Sequence, residues 1–227
     1  MRQTDGWVVE PFDPVVYVDK MGDDYAVCDA ARVSFDKTAD TYTPENNQKL
    51  LNYLAKHKHW SPFAHAHIKF KFQAPMFIAR QFVKHQVGFA WNEVSRRYVS
   101  TEPKFFVPTL WRKRPDNMKQ GSVFDGAVPV EGDSLTKYVD QMREHSKDYR
   151  SMIAEGICPE QVRMLMPQCM LTEWIWTGSL QAWWRFFELR SDSHAQAECW
   201  PYAHAVKEEI ANHFPMSWKA LQGTNNA

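Results

Sequence analysis

The residues best suited to chemistry crowd into one stretch, Arg80 to Tyr98, which reads RQFVKHQVGFAWNEVSRRY. It sets four cationic side chains, a histidine, two glutamines, an asparagine, a glutamate and a serine among aromatic rings. In NEVSRRY (92–98), an extended backbone would send Glu93, Ser95 and Arg97 to one side and Asn92, Val94, Arg96 and Tyr98 to the other. A hydroxyl and a guanidinium on one face make a phosphate cradle through charge-assisted, bidentate hydrogen bonds. Glu93 beside them can accept from a ribose hydroxyl. A plain surface ion pair between Glu93 and Arg97 accounts for the same spacing equally well.

Two other groups could do chemistry. In FELRSDSHAQ (187–196), Arg190 stands at a helix C-terminus, where the dipole alone favours a cation. The alternative is an arginine that projects into a cleft, held by the turn at Asp192 and Ser193. His57, His59, His65 and His67 form two H-x-H pairs, and imidazole suits zinc, iron or copper. No acidic residue accompanies them at ligand spacing and no H-E-x-x-H occurs, so no metal site is expected. There is no G-x-G-x-x-G, P-loop or G-x-S-x-G motif, which disfavours Rossmann, P-loop and serine-hydrolase chemistry.

The elements that must position these groups are mostly helices. DDYAVCDAARVSF (23–35) repeats small and apolar residues at three- and four-residue spacing. At Thr43 an N-cap, a proline at the first helical position and Glu45 open a second helix, whose apolar stripe is Leu50, Leu51 and Leu54. HAHIKFKF (65–72) alternates strictly, with Ala66, Ile68, Phe70 and Phe72 on one face, and predicts a half-buried strand. Pro75 then begins a helix of about eleven residues ending near Gly88. On that helix Gln81, Lys84 and His85 share a surface. Residues 113–132 lack periodicity and read as a loop insertion, followed by a long polar helix over about 134–154. A short helix opens at Pro159 and carries Arg163. Ser179 caps a helix through LQAWWRFFELR, and Pro201 is expected to kink the last segment. Helices dominate over few strands, so the expected class is α+β, as one domain over 1–227.

Bulk properties narrow the field. The 227 residues carry 27 Lys+Arg against 27 Asp+Glu, and are 44% hydrophobic with ten Trp and fourteen Phe. Zero net charge argues against a general nucleic-acid binder. A single-stranded nucleic-acid module built on Arg80–Arg97 and its aromatics remains the outlying alternative. Four dispersed cysteines without a C-x-x-C pair read as free thiols. The N-terminus lacks the apolar core of a signal peptide and no run reaches spanning length, so a soluble, cytoplasmic protein without membrane contact is expected.

Taken together, these segments resemble the flavin-dependent thymidylate synthase family, ThyX. Its signature R-H-R-x-x-S-x-N-E-x-S-x-R-Y corresponds to KHQVGFAWNEVSRRY. AARVSF (30–35), HWSPFAH (59–65), APMFIARQF (74–82) and LRSDSHAQ (189–196) are similar to family segments in the family's order. The resemblance covers most of 25–215. It implies a helix-rich ThyX-like fold with a small, mainly antiparallel sheet. It also implies reductive methylation of dUMP to dTMP with FAD, NADPH and methylenetetrahydrofolate, in a homotetramer whose active sites are shared between subunits.

By the resemblance, Ser95 and Arg97 bind the dUMP phosphate, joined by Gln81 and, from another subunit, Arg163. Arg190 is the catalytic residue, facing the uracil carbonyls. His59, Ser61, Lys84, His85, Gln86 and Glu93 match positions on the FAD and folate side, and Glu93 also borders the nucleotide. No protein nucleophile and no metal are implied. The chain departs from the family where Lys84 and Gln86 replace arginines, where one extra residue lies between Gln86 and Asn92, and where Ser179 and Arg185 replace asparagines of some relatives. Those departures motivate an alternative product, another C5-modified pyrimidine nucleotide such as 5-hydroxymethyl-dUMP.

Overall fold

The computed structural model describes residues 3–4, 7–9, 14–116 and 121–226. In chain order these begin with β1 (Gln3–Thr4), β2 (Trp7–Val9), β3 (Val15–Met21), α1 (Asp24–Arg32) and α2 (Pro44–Lys56). Then come β4 (His67–Pro75), α3 (Met76–Phe82), β5 (Phe89–Glu93), β6 (Phe105–Val107), β7 (Leu110–Lys113) and β8 (Val123–Pro129). The C-terminal part holds α4 (Gly132–Ala154), α5 (Pro159–Val162), β9 (Leu171–Ser179), α6 (Leu180–Ser191), α7 (Trp200–His213) and α8 (Pro215–Gln222). The class is α+β, with the largest sheet in the order β3-β4-β9-β5.

The chain divides into two compact units. One comprises Met1–Pro14, Gln73–Val83 and Glu93–Trp174; the other comprises Val15–Phe72, Lys84–Asn92 and Ile175–Ala227.

In the second unit, β3 and β4 pair antiparallel from Val15↔Phe72 to Met21↔His67. The alternation read from the sequence places Ala66, Ile68, Phe70 and Phe72 wholly out of solvent. Phe70 and Phe72 meet Trp183 of α6, whose indole N–H donates to the Ile68 carbonyl at 3.2 Å. Trp176 of β9 packs edge-on to Trp183 and Phe186, and Phe89 closes the cluster. Gly178 allows this approach, because a Cβ there would stand 2.3 Å from the Phe89 ring. Helix starts follow their caps: the side chains of Asp23, Thr43 and Ser179 accept from the amides of Ala26, Asn46 and Ala182. The α8 helix has no such cap of its own. Buried Asp24 of α1 supplies it, accepting from Met216 N at 2.9 Å and Ser217 N at 2.7 Å.

In the first unit, α4 is amphipathic rather than uniformly polar. Leu135, Tyr138, Val139 and Met142 recur at helical spacing against Phe105, Val107 and Met170. The Tyr138 hydroxyl donates to the Phe106 carbonyl at 2.9 Å.

Four further expectations change. The helix after Pro75 ends at Phe82, not near Gly88, with Val83 as its C-cap. The chain must then reverse to enter β5, and Gly88 makes that turn at φ +79° while its carbonyl accepts from Ser179 N. Lys84, His85 and Gln86 therefore lie on a loop, and Lys84 and His85 share no helix face with Gln81. The 113–132 stretch is partly a hairpin, since β7 and β8 pair antiparallel, and its residues 117–120 lie outside the described ones. Pro201 falls in the first turn of α7, where its missing N–H costs nothing, so it starts the helix instead of kinking it. Finally, β9 and β5 are strands that the sequence reading did not identify.

Replacing Asp24 by alanine leaves two α8 amides without their charged acceptor. The expected loss is about 2–3 kcal/mol of stability, read as a lower urea midpoint; an unchanged midpoint would contradict the cap.

Candidate functional site

A cavity of about 470 Å³ in the first unit gathers Glu93, Ser95, Arg96, Arg97, Arg163 and Thr172 in its wall. Four of the residues expected to bind nucleotide or cofactor thus meet in one place, and Arg163, expected from another subunit, comes from the same chain as Ser95 and Arg97. Ser95 and Arg97 do not come together by strand alternation. The strand ends at Glu93, the backbone turns, and Tyr98 N donates to the Ser95 carbonyl at 3.0 Å. The turn brings Arg97 N and Arg97 Nε to 3.3 and 3.4 Å from Ser95 Oγ. The hydroxyl and the guanidinium are neighbours by a tight local loop, with the Arg97 guanidinium over the Tyr98 ring.

The other cavity groups are held from different elements of the same unit. Glu93 Oε1 accepts from Thr172 Oγ1 at 2.7 Å, which fixes the carboxylate against β9. Val94 N donates to the Glu173 carbonyl, so pairing with β9 continues one residue past the strand. Arg163 follows the single turn of α5 and anchors its Nε on the Glu160 carbonyl at 3.1 Å. Arg96 packs over the Tyr149 ring of α4 and bonds the Thr101 carbonyl. Three arginines thus line one open cavity with one carboxylate and two hydroxyls, a donor set that suits a phosphate monoester bearing a polyhydroxyl sugar. Gln81 belongs to α3 of this unit and is half-buried, but it does not line the cavity. Thr172 escaped the sequence reading because it sits in an apolar run without a motif.

Arg190 and His85 form a separate feature within the second unit. Arg190 Nε donates to His85 Nε2 at 2.9 Å. For Nε2 to accept, the histidine must be neutral, with its proton on Nδ1. Burial, and then the positive charge of Arg190, lower the His85 pKa from its ordinary 6.5 to about 4. The imidazole is gripped edge-on by Trp176 and Phe186, so the arginine is held by a rigid acceptor. Asp192 does not hold Arg190 through a turn, as one sequence reading had it; its carboxylate accepts from His194 N.

Lys84 and Gln86 flank His85 on an exposed loop, and His59 and Ser61 lie exposed beyond the end of α2. The His59 ring stands edge-on to Tyr53 at 5.8 Å and 6.3 Å from His57. Among the described residues no group of three or more His, Cys, Asp or Glu is placed to hold a metal ion. No helix among them is long and apolar enough to cross a membrane.

Comparison with known proteins identifies the family. The family model described as thymidylate synthase complementing protein matches residues 17–216. The flavin-dependent thymidylate synthase of Kosmotoga olearia is 34% identical over 204 residues, 90% of this chain and 87% of that protein. A counterpart in Thermus thermophilus is 35% identical over 205 residues, 90% of this chain and 74% of the relative. Among solved structures, the UMP/dUMP methylase PolB of Streptomyces cacaoi, bound with 5-Br dUMP, superposes with a TM-score of 0.83. That likeness covers 96% of this chain and 98% of PolB at 24% identity, and so concerns the fold. By sequence match and coverage, this chain belongs to the thymidylate synthase complementing protein family, that of the flavin-dependent thymidylate synthases.

Proposed function

We propose that the protein is a flavin-dependent thymidylate synthase, converting dUMP to dTMP with methylenetetrahydrofolate as carbon donor and NADPH as reductant. The observation that carries this reading is the meeting of Ser95, Arg97 and Arg163 with the Thr172-anchored Glu93 in one cavity. Arg97, Arg163 and the Ser95 hydroxyl hold the nucleotide phosphate, and Glu93 accepts from the sugar. Arg190 directs guanidinium N–H groups at the uracil carbonyls, where they stabilise negative charge as C5 becomes nucleophilic. His85 keeps that guanidinium in place and stays neutral while doing so.

In this reading the chain's own side chains would hold a flavin dinucleotide. Lys84 offers an exposed ammonium to a pyrophosphate; His59, Ser61, His85, Gln86 and Glu93 offer hydrogen-bonding groups to its sugars and rings. When bound, the flavin supplies hydride-transfer chemistry that no side chain here can perform. In this reading the protein works in the cytoplasm as a homotetramer with shared active sites, an assembly that sedimentation velocity would show.

The reading is tested by the mass of the nucleotide product formed from dUMP, methylenetetrahydrofolate, NADPH and FAD without oxygen. The expected product is dTMP, lost when FAD is omitted. A hydroxymethylated nucleotide would move the assignment to the alternative C5 modification, and unchanged dUMP would refute both. Arg97→Ala and Arg163→Ala should each raise the KM for dUMP about tenfold to a hundredfold, the size of a lost charged hydrogen bond. Arg190→Ala should lower kcat by about 10²–10³.

His85 gives a pH signature of opposite character. Its folded pKa of about 4 lies below the ordinary 6.5, so the unfolded chain binds the extra proton between those values. Stability should therefore fall as pH drops from 6.5 towards 4. His85→Ala should flatten that part of the urea-midpoint profile while lowering kcat more than it alters the KM for dUMP.

A further inference from the structure

The turn that carries Ser95 and Arg97 belongs to a closed loop of the first unit. The loop leaves β9 where Val94 N donates to the Glu173 carbonyl at 2.9 Å. It rejoins the same strand where Leu171 N donates to the Lys104 carbonyl at 2.8 Å. Its ends are thus neighbours, as in a compact surface loop packed by its own side chains. Inside the loop, Tyr98 N and Val99 N both donate to the Ser95 carbonyl, and Arg96 bonds the Thr101 carbonyl.

Hinged at β9 alone, such a loop could swing as a body and take Ser95 and Arg97 with it. The α4 helix meets it from the side. The Arg96 guanidinium lies over the Tyr149 ring at 5.7 Å, and the Tyr149 hydroxyl donates to the Val99 carbonyl at 3.4 Å. The Ser146 hydroxyl donates to Glu102 Oε1, and Arg150 forms an ion pair with the same oxygen at 3.5 Å. Ser146, Tyr149 and Arg150 recur at three- and four-residue spacing, so one face of α4 serves the loop.

Ser146 has no part in making the helix. It is buried within 23 residues of α4, where alanine would be the better helix former. A serine so placed commonly turns its hydroxyl back to its own backbone, but this one reaches a carboxylate on the loop. The Glu102–Arg150 pair is exposed on both sides and contributes little by itself. Nor does the Glu102 charge help the cavity, since a carboxylate repels an incoming phosphate.

We infer that Glu102 and Ser146 are positioning residues for the nucleotide phosphate: the bond between them latches the loop to α4 and keeps Ser95 and Arg97 at the cavity wall. The inference rests on the reading of that cavity as the phosphate site of dUMP.

The test is calorimetric titration of the intact protein, supplied with FAD, with dUMP and with deoxyuridine, which lacks the phosphate. Charge and geometry predict opposite signs at Glu102. Loss of a carboxylate should by itself tighten dUMP binding, whereas a released loop should weaken it. Glu102→Ala and Ser146→Ala should each raise the dUMP Kd by about fivefold to twentyfold, the usual size of coupling between neighbouring groups. Deoxyuridine affinity, which also reports an intact fold, should stay unchanged. Glu102→Gln keeps an oxygen for the Ser146 hydroxyl and should bind dUMP as wild type does. Because the latch acts through Ser95 and Arg97, Glu102→Ala should cost less affinity in an Arg97→Ala protein than in wild type. Unaltered or tighter dUMP binding by both alanine variants would overturn the inference, as would an equal loss of deoxyuridine. Absence of dUMP binding by wild type would overturn it together with the reading of the cavity. Wild type that binds dUMP but forms no dTMP would refute the proposed reaction and leave the latch standing.

Discussion

The Trp183 indole is the fixed point of the second unit. Its N–H is satisfied by the Ile68 carbonyl, and its ring lies among Phe70, Phe72, Phe89, Trp176 and Phe186. Full burial of a ring that size contributes several kcal/mol, provided its one polar atom is paired. The contact sets the depth and rotation of α6 on β4. Arg190, seven residues further along that helix, is thereby placed, and so is the turn at Gly88 that delivers Phe89 and carries His85. The Gly178 backbone must pass so close to Phe89 that no other residue type fits there without displacement.

The arginines of the two units are held in contrasting ways. Arg97 is exposed, with long hydrogen bonds to a serine two residues away, so it can reorient with little to break. Arg190 is half-buried and tied at 2.9 Å to an imidazole that is itself packed between aromatic rings. A phosphate anchor tolerates adjustment, since its partner is a freely rotating group with equivalent oxygens. A charge that must meet a developing oxyanion works best when its position is settled beforehand.

How much could be read from the sequence depended on how local the determinant was. The start of α2 is written in Thr43 and Pro44, and the inner face of β4 in the strict alternation from Ala66 to Phe72. These needed no knowledge of neighbours. β9 was illegible because its burial alternates against its polarity: the inward positions include Thr172 and Gly178, while the outward one at its centre is Ile175. The end of α3 was misplaced because nothing in ARQFVKHQ forbids a longer helix; the required reversal into β5 decides it. Ser95 and Arg97 were paired correctly for a geometric reason that does not hold, since a turn, not an extended strand, unites them. Glu93 was identified, but its Thr172 support was not, because the two are 79 residues apart.

The cap that Asp24 gives to α8 also bears on synthesis. The second unit is assembled from three stretches of chain, Val15–Phe72, Lys84–Asn92 and Ile175–Ala227, so its first helix emerges from the ribosome long before its last. At about 5–20 residues per second, Asp24 waits on the order of ten seconds or more for Met216 and Ser217 to appear. The α8 amides and their acceptor are therefore joined only at the end of synthesis. The inner face of β4 likewise lacks its Trp183 cover until α6 has been made.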